Sequence, residues 1–401
     1  MEQAPTILFG AFDRHNFGDL LFPHIATALL PDVEPLCAGL AERDLRAFGG
    51  HRVRGLVELA IEYGARPLNL IHVGGEVLSC GAWPAALMLQ TTADAGPLIA
   101  RYDQHPEHRR AWAHQQIGRP DQAPYCAAPG LFPAARVVYA GVGGVSLDQA
   151  EPALRSEVLA KLAAAHAVGV RDQVTLAHLQ AAGISAELVP DPAVLVAELF
   201  GETIRRHQHN DAIAEILRHF PNGYLAVQFS ADFGDDATLA GIASQLTLLA
   251  NTRGLGIALF RAGAAPWHDD LDCLDRLAHR LGPHARVFTS LHLWDICALI
   301  AASHGFCGSS LHGRIVATAW ALPRLNVARC GEGAKQAAWA ATWEAPGLPG
   351  VVGIGDIAAG LARALDIPAC TRERLARELA RRYREDWTAL LQLAAIPLLW
   401  G

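Results

Sequence analysis

The chain has 401 residues, of which 33 are Lys or Arg and 40 are Asp or Glu, leaving a formal charge of -7 with all 18 histidines neutral. With 51% hydrophobic and 18% charged residues it is neither a peptide hormone nor a disulfide knot, and long disordered tracts are excluded. At roughly 150 residues per domain, two or three cored domains are predicted, and the acidic balance without a long basic run argues against a nucleic-acid partner.

The eight cysteines are scattered without a C-x-x-C pair, so buried free thiols are expected and no metal site is read from the sequence. The amino terminus has no basic n-region, and no apolar stretch reaches the roughly 18 residues of a membrane span, which predicts a cytoplasmic, soluble protein with no membrane span. Among the basic residues only Lys161 and Lys335 are lysines; with abundant alanine this composition suggests bacterial ancestry.

In chain order, short apolar runs ending in glycine or a polar pair alternate with helical periodicity. Strands are predicted at Thr6–Phe12, Leu68–Val73, Val137–Val142, Val168–Arg171 and Ala186–Val189, then at Tyr224–Phe229, Leu255–Arg261, Arg286–Phe288, Gly305–Cys307 and Leu325–Val327. Helices are predicted at Glu151–His166, Gln173–Ala182, Ala237–Asn251, Asp269–Leu281 and Leu291–Ser303. Such alternation implies parallel sheets covered on both faces. Gly81–Arg136, rich in Pro, His, Arg and Gln, reads as an excursion near a site mouth or a subunit contact. Pro190-Asp191-Pro192 stiffens the middle of the chain. The predicted architecture is α/β: a Rossmann-like domain over 1–195, a second over 196–370 facing it across a central cleft, and a segment 371–401 that packs back as a long helix, amphipathic over Thr371–Leu393.

Parallel α/β domains bind ligands beyond the carboxyl ends of their strands, so loops directly after strands are the candidate site. The first is Gly10–Asp19, containing Asn16, Gly18 and Asp19; a helix start offers free N–H groups to an anion, and a capping role for Asp19 is an equal alternative. His72-Val73-Gly74-Gly75-Glu76, Gly141-Val142-Gly143-Gly144 and Cys307-Gly308-Ser309-Ser310-Leu311-His312-Gly313-Arg314 follow the same logic. Several such loops in register favour a polar, phosphorylated small molecule. His312, just inside a predicted helix, is the candidate acid and base because histidine titrates near neutrality. Arg171 can clamp a carboxylate or phosphate, or pair with Asp172 or another neighbour. Asp191, between two prolines, either orients a catalytic group or is a turn carboxylate. Trp112, Tyr125, Trp339 and Trp343 suggest stacking on a sugar, with burial in a core as the alternative.

The order of these motifs, Asn16-Phe17-Gly18-Asp19, Gly74-Gly75, Gly141-Val142-Gly143, Val170-Arg171-Asp172, Pro190-Asp191-Pro192 and Ser310-Leu311-His312-Gly313 before Leu322-Pro323, resembles the polysaccharide pyruvyltransferase family over about residues 6 to 330. The resemblance implies a GT-B-like fold and a transferase using phosphoenolpyruvate as co-substrate, with no further cofactor, to place a pyruvate ketal on a saccharide or saccharide-like acceptor. It implies His312 as general acid and Arg171 as holder of the donor anion, with Asn16, Asp19 and Gly75 lining the site. Glu76, Gly143, Ser309, Ser310 and Gly313 join them as expected ligand contacts from their loops. Where the family has Arg-x-His-Gly this chain has Ser310-Leu311-His312-Gly313, with Arg314 following. The rivals are a GT-B glycosyltransferase using a nucleotide sugar and a ligand-binding homologue without catalysis.

Overall fold

The computed structural model describes residues 4–397 apart from positions 31, 103 and 346. The chain divides into two compact units, Met1–Pro192 with Arg382–Gly401, and Ala193–Arg381. Among the described residues the first unit is built on strands β1 (Thr6–Phe9), β2 (Leu36–Gly39), β3 (Arg43–Asp44), β4 (Arg52–Gly55), β5 (Leu68–Val73), β6 (Ala135–Val142), β7 (Ala167–Val170) and β8 (Glu187–Leu188). They lie in the order β3-β4-β2-β1-β5-β6-β7-β8, parallel except for β3 against β4. Leu8 stands opposite Cys37 on one side and Ile71 on the other. All six residues of β5 are buried, as a strand covered on both faces must be, which is why its sequence is a nearly continuous apolar run.

The second unit carries β9 (Tyr224–Gln228), β10 (Gly256–Phe260), β11 (Ala285–Phe288), β12 (Phe306–Gly308), β13 (Arg324–Val327) and β14 (Val351–Val352). Their order is β11-β10-β9-β12-β13-β14, all parallel. In each unit the chain winds outward from its first strand, returns and winds the other way, so the order reverses between β1 and β5 and again between β9 and β12. At such a reversal the loops leave the two strands in opposite directions and open a crevice. Gly10–Asp19 with Gly74–Glu76 flank the first reversal. The loop after β9 flanks the second with Ser309–Gly313.

Differences from the predicted elements have local causes. Strands β2, β3, β4 and β14 are absent from the sequence reading: β3 and β14 have two residues each, and β4 reads Arg-Val-Arg-Gly, too polar for an apolar run. Among its described residues the Gly81–Arg136 stretch contains the α-helices Ala82–Met88, Thr92–Tyr102 and Pro106–Ile117, where the sequence reads as an irregular excursion. The last of them starts on Pro106 and ends on Gly118 in the left-handed conformation; its composition is too polar to show an apolar stripe, but its ends are well marked. The terminal helix runs Ala369–Leu393, with Leu379, Tyr383, Trp387 and Leu390 buried. Within the first unit Arg382 donates to the Leu188 carbonyl at 3.0 Å. Positions 398–401 of the predicted C-terminal segment lie outside the described residues. No helix among the described residues is long and apolar enough to cross a membrane.

His72 lies inside β5 at 1% exposure, its ring stacked on Tyr139 with centroids 3.8 Å apart. Its Nε2 accepts the Ala127 N–H at 3.0 Å, which leaves Nδ1–H to donate to the Val138 carbonyl at 3.3 Å; both bonds use the neutral imidazole. Burial lowers this histidine to about 3, with the Lys161 and Arg119 charges acting the same way. The folded value lies below the unfolded one of about 6.5, so His72 contributes full stability above that pH and loses it as acid protonates the unfolded chain first. His51 is likewise lowered to about 3, chiefly by burial. Relative to a His72→Gln variant, which has no group to titrate at this position, the wild type is therefore expected to lose stability to urea from pH 6.5 downward by about 1.4 kcal/mol per pH unit. A stability difference between the two proteins that stays constant between pH 6.5 and 4.5 would contradict this assignment.

Candidate functional site

In the first unit the loop after β1 ends on the helix Phe17–Ala28, whose N-cap is Asn16: its side chain accepts the Gly18 N–H at 3.1 Å. Asp19 is therefore not the cap; it lies buried in the first turn, at 6% exposure. Earlier in the loop Asp13 turns inward and accepts the Leu40 N–H at 2.6 Å and the Tyr125 hydroxyl at 2.8 Å. Burial raises the Asp13 carboxyl in spite of Arg14 and these donors. Arg14 donates to the Tyr125 oxygen at 2.6 Å, with its guanidinium over the ring at 5.0 Å. Its Nε is enclosed without a hydrogen-bond partner in the structure. Burial opposes its charge, but Tyr125, Cys80, Asp19 and Asp13 outweigh that and raise it above its ordinary value. Arg14 thus keeps a cation beside Asp19 in the loop at the strand reversal.

Gly74 and Gly75 follow β5 with φ of 62° and 85°, a region that favours glycine; at Gly74 a Cβ would meet the Phe22 ring at 2.6 Å. Gly75 accepts the Gly143 N–H at 2.8 Å and Gly143 accepts the Leu78 N–H at 3.0 Å, so the loops after β5 and β6 are laced together. Glu76 takes the Arg171 guanidinium at 2.7 Å and the Val145 N–H at 2.8 Å. Arg171, 2% exposed, pairs also with fully buried Asp191 at 2.9 Å. Burial works against its charge, but Glu76 and Asp191 outweigh it and push the guanidinium above its ordinary value. Gly143 lets this pair close, since a Cβ there would sit 2.7 Å from Arg171 Nε and closer still to Glu76. Asp172 is not Arg171's hydrogen-bonded partner: it caps the helix Gln173–Ala181, accepting the Thr175 N–H at 2.7 Å. The structure therefore brings Glu76, Gly143, Arg171 and Asp191 together as one cluster, with buried Arg171 engaged by two carboxylates, half-buried Glu76 and buried Asp191.

In the second unit Ser310 caps the helix Leu311–Ala319 by accepting the Gly313 N–H at 3.1 Å, and His312 is the second residue of that helix, at 9% exposure. The turn is held from two strands and a helix. Gln228, ending β9, accepts the Ser309 N–H on its carbonyl at 3.1 Å and the Ser310 N–H on its side chain at 2.8 Å. Asn326 of β13 donates to the carbonyls of Gly308 at 2.8 Å and Ser310 at 3.0 Å, and Gln336 donates to that of Ser309 at 2.6 Å. The Ser309 hydroxyl accepts the Ser230 N–H at 3.0 Å. Behind Gln228 lies Asp269, which accepts its amide at 2.8 Å; burial raises this carboxyl to about 7 against that bond and the Ala262 N–H. The serine at position 310 has a physical role: it closes the helix start on which His312 stands.

Arg314 does not take over the cation missing at 310. Its side chain is fully buried, 2.8 Å from Glu344, and it donates to the carbonyls of Gly350 at 3.0 Å and Pro349 at 2.8 Å. Arg324 reaches the other Glu344 oxygen at 2.6 Å. Burial pulls Arg314 down to about 10 against the attraction of Glu344, with Arg324 adding to the fall.

Arg14, Gln228, Asn326, Gln336 and Glu344 were missed in the sequence. The available signal was a polar residue inside or closing an apolar strand, which Gln228 and Asn326 both are. Of the aromatic residues proposed for stacking, Tyr125, Trp339 and Trp343 are buried, and Trp112 is half-buried against Tyr102 and Trp83 at centroid distances of 5.7 Å and 5.4 Å. All eight cysteines are free; Cys330 and Cys370 are exposed, contrary to the expected burial.

Among solved structures, UDP-GlcNAc 2-epimerase from Neisseria meningitidis is similar at 11% identity, covering 98% of this chain and 100% of that one, with a TM-score of 0.55. The corresponding enzyme from Rickettsia bellii gives 12% identity, 98% and 97% coverage and a TM-score of 0.54. An α,α-trehalose 6-phosphate synthase from Burkholderia multivorans gives 13%, 98%, 99% and 0.53. At these identities the likeness establishes the GT-B fold and nothing of substrate. No curated protein sequence matches the chain. Residues 135–327, from β6 through the His312 turn to the end of β13, match the family described as polysaccharide pyruvyl transferase.

Proposed function

We propose that the protein transfers an enolpyruvyl-derived group from phosphoenolpyruvate to two hydroxyls of a saccharide or saccharide-like acceptor, forming a pyruvate ketal. The observation that carries the reading is the placement of His312 on a helix start that two strands and a neighbouring helix immobilise, inside the span matching the transferase family. In this chemistry His312 protonates C3 of the donor, making C2 an oxocarbenium-like centre. The first acceptor hydroxyl adds to C2 and its proton returns to the imidazole. The bond from C2 to the phosphate oxygen then breaks, phosphate leaves, and the second hydroxyl closes the ketal while its proton departs with phosphate.

Ser309, Ser310 and Gly313 fix the turn that presents the imidazole. In the first unit Arg14 is the better anion-holding group, because its Nε has no hydrogen-bond partner whereas Arg171 is engaged by Glu76 and Asp191. Arg171 then acts as a positioning residue that fixes the Glu76 and Gly143 loops, and Asn16, Gly18, Asp19 and Gly75 shape the loop beside Arg14. Inorganic phosphate release from phosphoenolpyruvate, measured across a panel of saccharides carrying neighbouring hydroxyl pairs, tests the reading. Release that requires an acceptor and yields a product heavier by the ketal supports it. Transfer of a glycosyl group from a nucleotide sugar by the same preparation, without that release, would replace it.

A further inference from the structure

Away from the His312 turn, at the far edge of the second unit's sheet, two imidazoles and a carboxylate meet. His207 ends the helix Val196–His207, His292 occupies the N-cap position of the helix Leu293–Ala301 shortly after β11, and Asp295 lies in that helix's first turn. Ring nitrogens of both histidines and a carboxylate oxygen of Asp295 fall within 4.8 Å of one another. The rings are nearly parallel, 14° apart with centroids at 5.1 Å. Asp295 Oδ1 accepts His207 Nδ1 and Asn210 Nδ2, each at 2.6 Å, and Oδ2 accepts the Ser290 hydroxyl at 2.6 Å. His292 Nδ1 is enclosed without a hydrogen-bond partner. An enclosed polar nitrogen left unpaired destabilises the fold, a cost that a ligand there would recover.

We propose that His207, His292 and Asp295 bind a divalent transition-metal ion of the zinc class. Two imidazoles with one carboxylate form a donor set suited to zinc, cobalt(II) or nickel(II) rather than magnesium or calcium, which take oxygen ligands. With metal–ligand bonds of about 2.1 Å, tetrahedral ligand atoms stand roughly 3.4 Å apart, so the His207–Asp295 pair opens by somewhat under 1 Å as His207 gives up its Nδ1 proton. The carboxylate is already oriented by Asn210 and Ser290, the outer support that metal-bound carboxylates need. Three protein ligands leave a fourth position for water, and the ion ties the end of one helix to the start of another. Strands β10 and β9 separate β11 from β12, which puts the site roughly 14 Å along the sheet from the His312 loop. Its ligands come from segments 88 positions apart in sequence, so no local spacing pattern announces it.

The test uses the full chain, stripped with a chelator and titrated calorimetrically with zinc chloride, with cobalt(II) chloride followed by visible absorption. One equivalent is expected to bind, raise the unfolding midpoint and give cobalt the intense bands of tetrahedral nitrogen and oxygen ligation. His292→Ala is expected to weaken binding at least 10-fold and Ser290→Ala, through the carboxylate, about 10-fold. If His292→Ala does not fold, His207→Gln at a side chain 28% exposed takes its place. Absence of zinc binding by the wild-type protein, or binding undiminished in the histidine variants, would overturn the proposal.

Discussion

His312→Ala is expected to lower turnover of phosphoenolpyruvate about 10²- to 10⁴-fold while leaving the protein folded. The argument separates chemistry from scaffold. The helix start survives the substitution because Ser310, not His312, caps it, and because Gln228, Asn326 and Gln336 hold backbone atoms of the turn. Only the imidazole is removed. Turnover is measured as phosphate release and folding by circular dichroism and the thermal midpoint. A variant with undiminished turnover would remove His312 from the mechanism.

Glu344→Gln is expected to destabilise the second unit by about 3–5 kcal/mol, a large share of an ordinary domain's stability. Glu344, its side chain 3% exposed, is the carboxylate shared by Arg314 and Arg324, both fully buried. Burial alone would raise Glu344, but the two guanidiniums hold it below its usual value. A neutral amide keeps the shape and leaves two buried cations without a counter-charge. The damage reaches the candidate site because Arg314 belongs to the same helix as His312. Urea unfolding followed by tryptophan fluorescence reads the loss; a shift worth under 1 kcal/mol would show that the carbonyls of Pro349 and Gly350 suffice for Arg314.

The strands that specify the two sheets were legible because parallel strands covered on both faces leave continuous apolar runs, as in Leu68–Val73 and Tyr224–Gln228. Short edge strands such as β3 and β14 leave no such signature, and the helices of Gly81–Arg136 declare themselves at their caps more than along their length. At the site, residue type and position after a strand were enough to find His312, Ser309 and Ser310. They were not enough to tell an arginine that can meet a ligand from one already engaged. Arg171, Arg314 and Arg14 all lie close after strands, and what separates them is where Glu76, Asp191, Glu344 and Tyr125 stand in three dimensions. The His207, His292 and Asp295 cluster escaped for the same reason.

Donor identity is the point on which the functional account turns, and calorimetric titration of the wild-type protein with phosphoenolpyruvate and, separately, with UDP-GlcNAc addresses it most directly. A ligand that binds the native state also raises its thermal midpoint, which gives an independent readout on the same samples. The account predicts saturable binding of phosphoenolpyruvate and none of UDP-GlcNAc; saturable binding of the nucleotide sugar with no response to phosphoenolpyruvate would contradict it.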